Sequence, residues 1–309
     1  MKPDIDTPFD VVIVGGGPAG LSAALALGRG RKRVLLCDAG PRRNSAAEQV
    51  HNFVTRDGIP PTEFRRIGRE QLAPYPSVEI RDVGVEAIDG DKGAFAVRLT
   101  TGAVRARRIL LATGMIDELP ELDGFRALWG KSIFQCPYCH GWEVQDRRFG
   151  VLAGTVEMVE FAFLLRGWSH DVVALTEGKL SVPAELQGNL ARAGIRLDQR
   201  SITRLAARDQ HLEAVQFADG ATIPLEVIFA HPPQSQVPLV RSLGLTLDSG
   251  GYVQVDEARR ETSRPGIYAA GDLITPIQSA VLAAAAGMRA AATVNHALMM
   301  ELATTGALP

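Results

Sequence analysis

The feature that most constrains this chain is the segment FDVVIVGGGPAGLSAALAL at residues 9–27. An apolar run typical of a β-strand ends in Gly15-x-Gly17-x-x-Gly20, and an Ala- and Leu-rich helical pattern follows. In such a unit Gly15 permits the tight turn, Gly17 lets the backbone approach a pyrophosphate, and Gly20 allows close packing of helix on strand. The segment therefore predicts an α/β fold with a dinucleotide site.

Two neighbouring features support that site. Pro18 and Ala19 begin the helix, where unpaired backbone N–H groups face the negative charge of a phosphate. The next strand, RVLLCD, ends at Asp38, eighteen residues after Gly20. A carboxylate at that distance can accept hydrogen bonds from a ribose 2′-OH. The predicted site therefore includes both the phosphate turn and the ribose contact.

Further strand patterns along the chain indicate two domains. ILLATGM at residues 109–115 ends in a turn, and TSRPGIYAAGD at residues 262–272 closes on Gly271 and Asp272. A second strand, turn, helix and strand unit begins at RRFGVLAGTVEMVEFAFLLRGWSHDVVALTEG, residues 147–178. We therefore predict an α/β protein with two Rossmann-like domains. The predicted boundaries are 1–116 with 246–309 for the first domain, and 117–245 for the inserted second domain.

Composition and charge argue against several classes of protein. The chain has 309 residues, with 33 Lys and Arg against 35 Asp and Glu, so nucleic acid and acidic membranes are unexpected partners. The N-terminal MKPDIDTPFD has no apolar signal-peptide core, which favours a cytoplasmic protein. The most apolar long segment, residues 279–300, is Ala-rich and interrupted by Arg289 and His296, so it predicts a buried helix and no membrane span.

The segment IFQCPYCHGWEV at residues 133–144 places His140 directly after the pair Cys136 and Cys139. This spacing fits haem attachment, half of a zinc site, or a redox-active dithiol. Haem attachment requires export. Structural zinc needs four ligands, and beyond this motif the chain offers only Cys37 and scattered histidines, so no metal site is expected. A redox dithiol is favoured, because a C-x-x-C pair lowers the pKa of one thiol and creates a nucleophile.

Together these segments resemble the FAD-binding signature of the two-dinucleotide-binding-domain flavoproteins. The position of the cysteine pair, early in the second domain, resembles that of the low-molecular-weight thioredoxin reductases. The resemblance implies FAD, with Asp272 on the flavin ribitol and Thr113 and Gly114 at the exit from the FAD domain. It also implies a homodimer, with Cys139 next to the flavin and Cys136 as the thiol that exchanges with substrate.

His140 takes the place where thioredoxin reductases usually carry an Asp that acts as acid and base. Reference pKa values of about 6.5 for His and 3.9 for Asp make His better matched to shuttling a thiol proton near neutral pH. The alternative is that His140 only caps the helix or packs beside Trp142. We therefore predict His140 as a proton carrier.

CPYCHGWE resembles more closely the thioredoxin-reductase-like dithiol oxidases, which make intramolecular disulfides in microbial natural products. The segment DAGPRRNSAAEQVHNFVTRDG, residues 38–58, is similar to a segment of those homologues. By that likeness Asn44 and His51 line the flavin, with a plain surface loop as the alternative. Val85 is a weaker prediction for a contact on the adenine side.

Three departures argue against ordinary NADPH binding. Ala153-x-Thr155-x-x-Met158 stands where the second G-x-G-x-x-A/G turn belongs, which adds side chains where a pyrophosphate must approach backbone. Glu177 ends the following strand, where these reductases carry basic residues for a 2′-phosphate, and would repel it. The Arg-Gln pair that follows the late Gly-Asp motif in reductases is also altered. Gln278 is the nearest residue here and a candidate flavin contact.

We predict an FAD-dependent thiol/disulfide oxidoreductase, of the dithiol oxidase type or otherwise independent of NADPH. Electrons would be exchanged with a small dithiol or disulfide, or with a thioredoxin-like protein, and oxygen or ferredoxin would be the other partner. The alternatives are an NAD(P)H-dependent thioredoxin reductase, a ferredoxin-dependent flavin thioredoxin reductase, a zinc module and a flavoprotein without catalytic activity.

Overall fold

The computed structural model describes residues 7–40 and 43–306. The described chain divides into two compact units, and each contains a sheet of its own. The first unit resumes at residue 234, twelve residues before the predicted boundary at 246, because Leu239 and Val240 are buried in its core. The units are 1–45, 53–116 and 234–309 for the first, and 46–52 and 117–233 for the second.

The strands and helices alternate along most of the chain. The strands are β1 (Phe9–Val14), β2 (Val34–Cys37), β3 (Val78–Arg81), β4 (Val85–Asp89), β5 (Phe95–Leu99), β6 (Gly102–Leu111), β7 (Ile116–Asp117), β8 (Ile133–Phe134), β9 (Phe149–Leu152), β10 (Val172–Leu175), β11 (Arg196–Asp198), β12 (Ile202–Arg208), β13 (His211–Phe217), β14 (Thr222–Pro224), β15 (Val227–Ala230), β16 (Gln234–Ser235) and β17 (Ile267–Ala269). The helices are α1 (Pro18–Arg29), α2 (Pro61–Glu70), α3 (Phe125–Leu128), α4 (Pro137–His140), α5 (Val156–Leu165), α6 (Ala184–Arg192), α7 (Pro238–Ser242), α8 (Ala280–Met300) and α9 (Leu302–Thr305), with 3₁₀ turns at Arg43–Ala46 and Asp272–Ile274.

The first unit is built on a parallel sheet in the order β3-β2-β1-β6, which β17 extends by pairing with the second half of β6. β4 and β5 join the first half of β6 as an antiparallel meander. β1 and β2 are buried on both faces, which explains their continuous apolar runs. Strand order reverses beside β1, so the carboxyl ends of β1, β6 and β17 border the crevice where such sheets bind ligands.

The second unit contains a five-stranded parallel sheet, β11-β10-β9-β15-β8, and a separate antiparallel sheet of β12, β13 and β14. The predicted second strand, turn, helix and strand unit corresponds to β9, α5 and β10. β8 leads directly into the cysteine pair, and its carboxyl end lies on the same edge of the sheet as the turn after β9. The predicted α/β class with two Rossmann-like sheets is therefore confirmed.

The Ala-rich segment near the C-terminus forms α8 and packs on α1. Ser279 caps the helix, because its hydroxyl accepts a hydrogen bond from the N–H of Leu282 at 3.3 Å. A Cβ on Gly287 would lie 2.0 Å from the carbonyl oxygen of Ala19, so only glycine permits this close crossing. The predicted buried helix is confirmed on this face. In the described part of the chain, no helix has the length and apolar character to cross a membrane.

Candidate active site

The glycine turn after β1 has the geometry that a pyrophosphate requires. Gly15 has a φ of +115°, and a Cβ on Gly20 would lie 1.8 Å from the Gly15 carbonyl oxygen. By contrast, nothing lies within 4 Å of a Cβ built on Gly17, so a ligand can approach the backbone there. Gly17 is the N-cap of α1, Pro18 is its first residue, and Ala19 is buried behind them. The turn therefore fits the pyrophosphate of FAD.

Asp38 lies beside this turn at the end of β2 and is 5% exposed. Its carboxylate accepts hydrogen bonds from the N–H of Gly40 at 2.9 Å and from Nε of Arg65 at 2.7 Å. Arg65 lies on α2, and no sequence motif marked it. A carboxylate has about four lone-pair positions. Asp38 therefore keeps acceptor capacity for a ribose hydroxyl while Arg65 fixes its orientation.

The late glycine motif forms a polar network with residues distant in sequence. Gly271 has a φ of +87°, and Asp272 forms an ion pair with Nη1 of Arg43 at 3.3 Å. Arg43 also donates to the side-chain oxygen of Gln278, whose Nε2 donates to the Asp272 carbonyl at 3.2 Å. The structure thus brings together two predicted residues and adds Arg43, which the sequence did not indicate. The same network includes Gln234 and Tyr252.

The other residues predicted to contact the flavin also lie in or next to the first unit. Thr113 and Gly114 follow β6, and Gly114 has a φ of +66°. Asn44 is exposed in the 3₁₀ turn next to Arg43. Val85 starts β4 and packs against the core. Their contacts with a flavin stay predictions.

The cysteine pair lies at the start of α4, where the backbone favours a thiolate. Cys136 is the N-cap, and the backbone N–H groups of Tyr138 and Cys139 help to lower the pKa of its thiol. The pKa of Cys136 falls to about 7, chiefly because the Cys139 thiol donates a hydrogen bond to it, while burial opposes the shift. Cys136 is therefore substantially ionised at neutral pH, as an exchanging thiol must be.

His140 ends α4, and its ring stacks on Phe134 with centroids 4.4 Å apart. Neither ring nitrogen is solvent-accessible, and neither hydrogen-bonds to another described residue. Burial lowers the pKa of His140 to about 4; Glu143 opposes the shift and His51 adds to it. The expectation of a pKa near 6.5 is therefore wrong, because it ignored desolvation. At pH 7 the ring is neutral and one nitrogen has a lone pair for a proton.

His51, predicted to line the flavin, lies in the segment 46–52 of the second unit. Its Nε2 is 3.4 Å from Oε1 of Glu143. The adjacent Asn52 donates from Nδ2 to the carbonyl of Tyr138 at 2.5 Å. These contacts tie the segment to the CPYCHGWE motif. Glu143 and Asn52 were not predicted, because their role depends on a contact between segments about ninety residues apart.

The turn after β9 differs from the glycine turn after β1. Thr155 is the N-cap of α5, and its hydroxyl accepts a hydrogen bond from the N–H of Met158 at 3.3 Å. Glu177 follows β10 and pairs with Nζ of Lys179 at 3.0 Å. Thr155 therefore takes one N–H of the first helical turn, while a Cβ built on Gly154 meets nothing within 4 Å, as at Gly17. The absence of ordinary pyridine nucleotide binding here stays a prediction.

The remaining thiol is not reactive. Cys37 is buried in β2, and burial raises its pKa to about 12. Within residues 7–40 and 43–306 there is no group of three or more His, Cys, Asp or Glu side chains placed to hold a metal ion. The dithiol is therefore the centre of redox chemistry in the described chain.

Comparisons with known proteins agree with this geometry. Residues 9–287 match the family described as pyridine nucleotide-disulphide oxidoreductase. A thioredoxin reductase of Aspergillus oryzae is 34% identical over 307 residues, covering 95% of this chain and 97% of its own. Another, of Claviceps purpurea, is 34% identical over 277 residues, covering 85% and 86%.

Solved structures show the same likeness. An oxidoreductase from Agrobacterium tumefaciens has a TM-score of 0.90 at 35% identity, with 95% of this chain and 99% of that one covered. The structure of HlmI has a TM-score of 0.89 at 35% identity, with 97% and 95% covered.

The fold and the site thus define an FAD-dependent disulfide oxidoreductase. The chain belongs to the pyridine nucleotide-disulphide oxidoreductase family, and within it resembles the thioredoxin reductases.

Proposed function

We propose that the protein is an FAD-dependent dithiol oxidase that works without NADPH. The observation that supports this proposal is the turn after β9, where Thr155 and Met158 replace small residues of a dinucleotide turn and the Thr155 hydroxyl takes the N–H of Met158. By contrast, the cysteine pair and the glycine turn after β1 keep the residues of their motifs. An enzyme with these parts can receive electrons from thiols, and the altered turn after β9 argues against an ordinary hydride donor.

The substrate is a small dithiol, which reacts with the oxidised form of the cysteine pair. A substrate thiolate attacks the sulfur of Cys136, forming a mixed disulfide and releasing Cys139 as a thiolate. The second substrate thiolate then attacks the substrate sulfur and releases Cys136. The products are a cyclic substrate disulfide and a reduced cysteine pair, with two electrons and two protons transferred. The low pKa of Cys136 makes it a good leaving group in the second step.

His140 accepts the proton of the attacking substrate thiol. It is neutral at pH 7 because its pKa is about 4, so a ring nitrogen is available as an acceptor. The same low pKa makes the buried ring a weak base, so we expect it to take up the proton only when bound substrate raises its pKa. Glu143 and its neighbour His51 act on the ring in opposite directions: Glu143 raises the pKa of His140 and His51 lowers it.

The first unit is the FAD domain in this proposal, and the second is the inserted domain that carries the dithiol. Gly15, Gly17 and Asp38 would hold the pyrophosphate and ribose of the adenosine half, and Asp272 the ribitol. FAD, when bound, would supply a two-electron acceptor for the dithiol, with oxygen as the final acceptor and hydrogen peroxide as its product. Cys139 would be the sulfur next to the flavin. We further propose a cytoplasmic homodimer, from the family likeness.

A thioredoxin-reductase function is the second candidate, favoured by the names of the relatives from Aspergillus oryzae and Claviceps purpurea. Electrons would then flow from a donor through FAD and the dithiol to a thioredoxin-like protein. The ionised Cys136 suits this direction as well, because it can attack a disulfide. The donor would be ferredoxin, or a pyridine nucleotide bound in an unusual manner.

The direction is tested by mixing the oxidised holoenzyme anaerobically with NADPH and, separately, with a small dithiol such as dithiothreitol. We expect the dithiol to bleach the flavin absorbance rapidly and NADPH to leave it unchanged over minutes. Admission of air should restore the oxidised spectrum and produce one hydrogen peroxide per substrate disulfide. Fast bleaching by micromolar NADPH would contradict the oxidase and favour the reductase.

A further inference from the structure

The order β9, α5 and β10 reproduces the unit that holds the pyrophosphate of a dinucleotide in Rossmann folds. In that arrangement the phosphates meet unpaired N–H groups at the helix start, and an acidic or basic residue after the second strand meets the ribose. The second unit keeps both places: α5 starts at Val156, and Glu177 follows β10. The strands and the helix of this unit are therefore preserved, and the difference lies in the residues of the turn between β9 and α5.

The chain itself supplies the hydrogen-bond acceptors at the start of α5. The hydroxyl oxygen of Thr155 accepts from the N–H of Met158. Glu157 lies in the first helical turn, and its own backbone N–H and the Thr155 hydroxyl hold the pKa of its carboxylate below the usual value. One backbone donor that a phosphate would use, the N–H of Met158, is thus already bonded. A negative charge stands at the helix N-terminus, where it is favoured by the helix dipole.

We propose that Thr155 and Glu157 form a built-in anionic cap that excludes pyridine nucleotides, and so determine which electron donor the enzyme can use. This inference rests on the proposed NADPH-independent function and names the residues responsible for it. The cap acts in two ways. Thr155 occupies the N–H of Met158, and the Glu157 carboxylate repels the two negative charges of a pyrophosphate.

Glu177 acts separately from the cap and gives the proposal a distinctive consequence. A carboxylate after the second strand accepts hydrogen bonds from a free ribose 2′-OH but repels a 2′-phosphate. Replacing Thr155 and Glu157 should therefore allow NAD⁺ to bind. NADP⁺ should bind only when the charge of Glu177 is removed as well.

The test is a calorimetric titration of the oxidised holoenzyme with NAD⁺ and with NADP⁺. The variants are Thr155→Gly with Glu157→Gln, and the same pair with Glu177→Gln. Glu160→Gln is the matched control, since Glu160 is exposed on the same helix. FAD content and melting temperature verify that each variant is folded.

We expect the double variant to bind NAD⁺ at least about tenfold more tightly than the wild type, and the triple variant to gain a similar factor for NADP⁺. Glu160→Gln should change neither affinity. A double variant that binds NAD⁺ no better than Glu160→Gln overturns the cap, even when the wild type stays unbleached by NADPH. Bleaching of the wild type by NADPH overturns the proposed function itself, so the two failures are distinguishable.

Discussion

At the residue scale, Gly17 and Gly20 serve different purposes although both belong to one motif. A Cβ on Gly17 meets no atom within 4 Å, whereas one on Gly20 meets the Gly15 carbonyl. We expect Gly17→Val to fold but to retain less than about a tenth of the FAD, because its side chain fills the pyrophosphate space. Gly20→Val should instead lower the melting temperature. Visible absorbance and thermal melting measure both, and full FAD content in Gly17→Val would contradict the assigned site.

The two cysteines should differ in their spectra. Only a thiolate next to the flavin can donate charge into it, and we assign that position to Cys139. Cys136→Ser should therefore keep a long-wavelength charge-transfer band, and Cys139→Ser should lose it. Both variants should lose dithiol turnover. Cys37→Ala is the control and should keep turnover and band, since Cys37 is buried and its thiol stays protonated. The reverse pattern of bands would exchange the two roles.

His140 should make stability depend on pH. Its pKa is about 4 in the folded chain against 6.5 when unfolded, so between these values the unfolded state binds the extra proton. The free energy of unfolding therefore falls as pH drops from 7 to 4, by about 3 kcal/mol from this group. Over this pH range the free energy of unfolding of His140→Phe, measured by urea denaturation, should fall by about 3 kcal/mol less than that of the wild type. His170→Gln, at an exposed position, should match the wild type.

At the element scale, the end of α8 is fixed to the central sheet by buried charge. Glu301 follows α8 and pairs with Arg108, whose side chain is fully buried in β6, and with Arg107. Removing Glu301 leaves the buried Arg108 charge with neutral partners only, the Arg107 carbonyl and Tyr268. We expect Glu301→Ala to lower the free energy of unfolding by about 3 kcal/mol. Glu70→Ala, which breaks an exposed pair with Arg66, should leave the free energy of unfolding nearly unchanged in the same urea titration.

At the scale of the whole molecule, we expect two copies to associate. The start of α8 and the preceding turn expose Ile277, Val281, Leu282 and Met288, a cluster that a second chain could cover. Light scattering should give a mass near twice 33.1 kDa. Val281→Glu with Met288→Glu should shift the mass towards one chain. Leu164→Glu, an exposed site in the second unit, should not. A single-chain mass for the wild type would refute the homodimer.

The sequence by itself determined the elements whose cause is local. The sequence predicted the glycine turn, Asp38 after β2 and the second strand-turn-helix unit, because each depends on residues within about thirty positions. The α/β class and the C-x-x-C chemistry followed from the same short-range patterns. The buried face of α8 was readable from its small residues.

Only the tertiary structure decided the properties that depend on distant segments and on exclusion of water. The partners of Asp272 and Asp38, which are Arg43 and Arg65, come from elements that no motif marks. The low pKa of His140 arises from burial against Phe134, and sequence reasoning used the value in water. His51 joined Glu143 because the chain folds the segment 46–52 onto the second unit. Desolvation and long-range pairing are set by packing, and packing is a property of the folded chain.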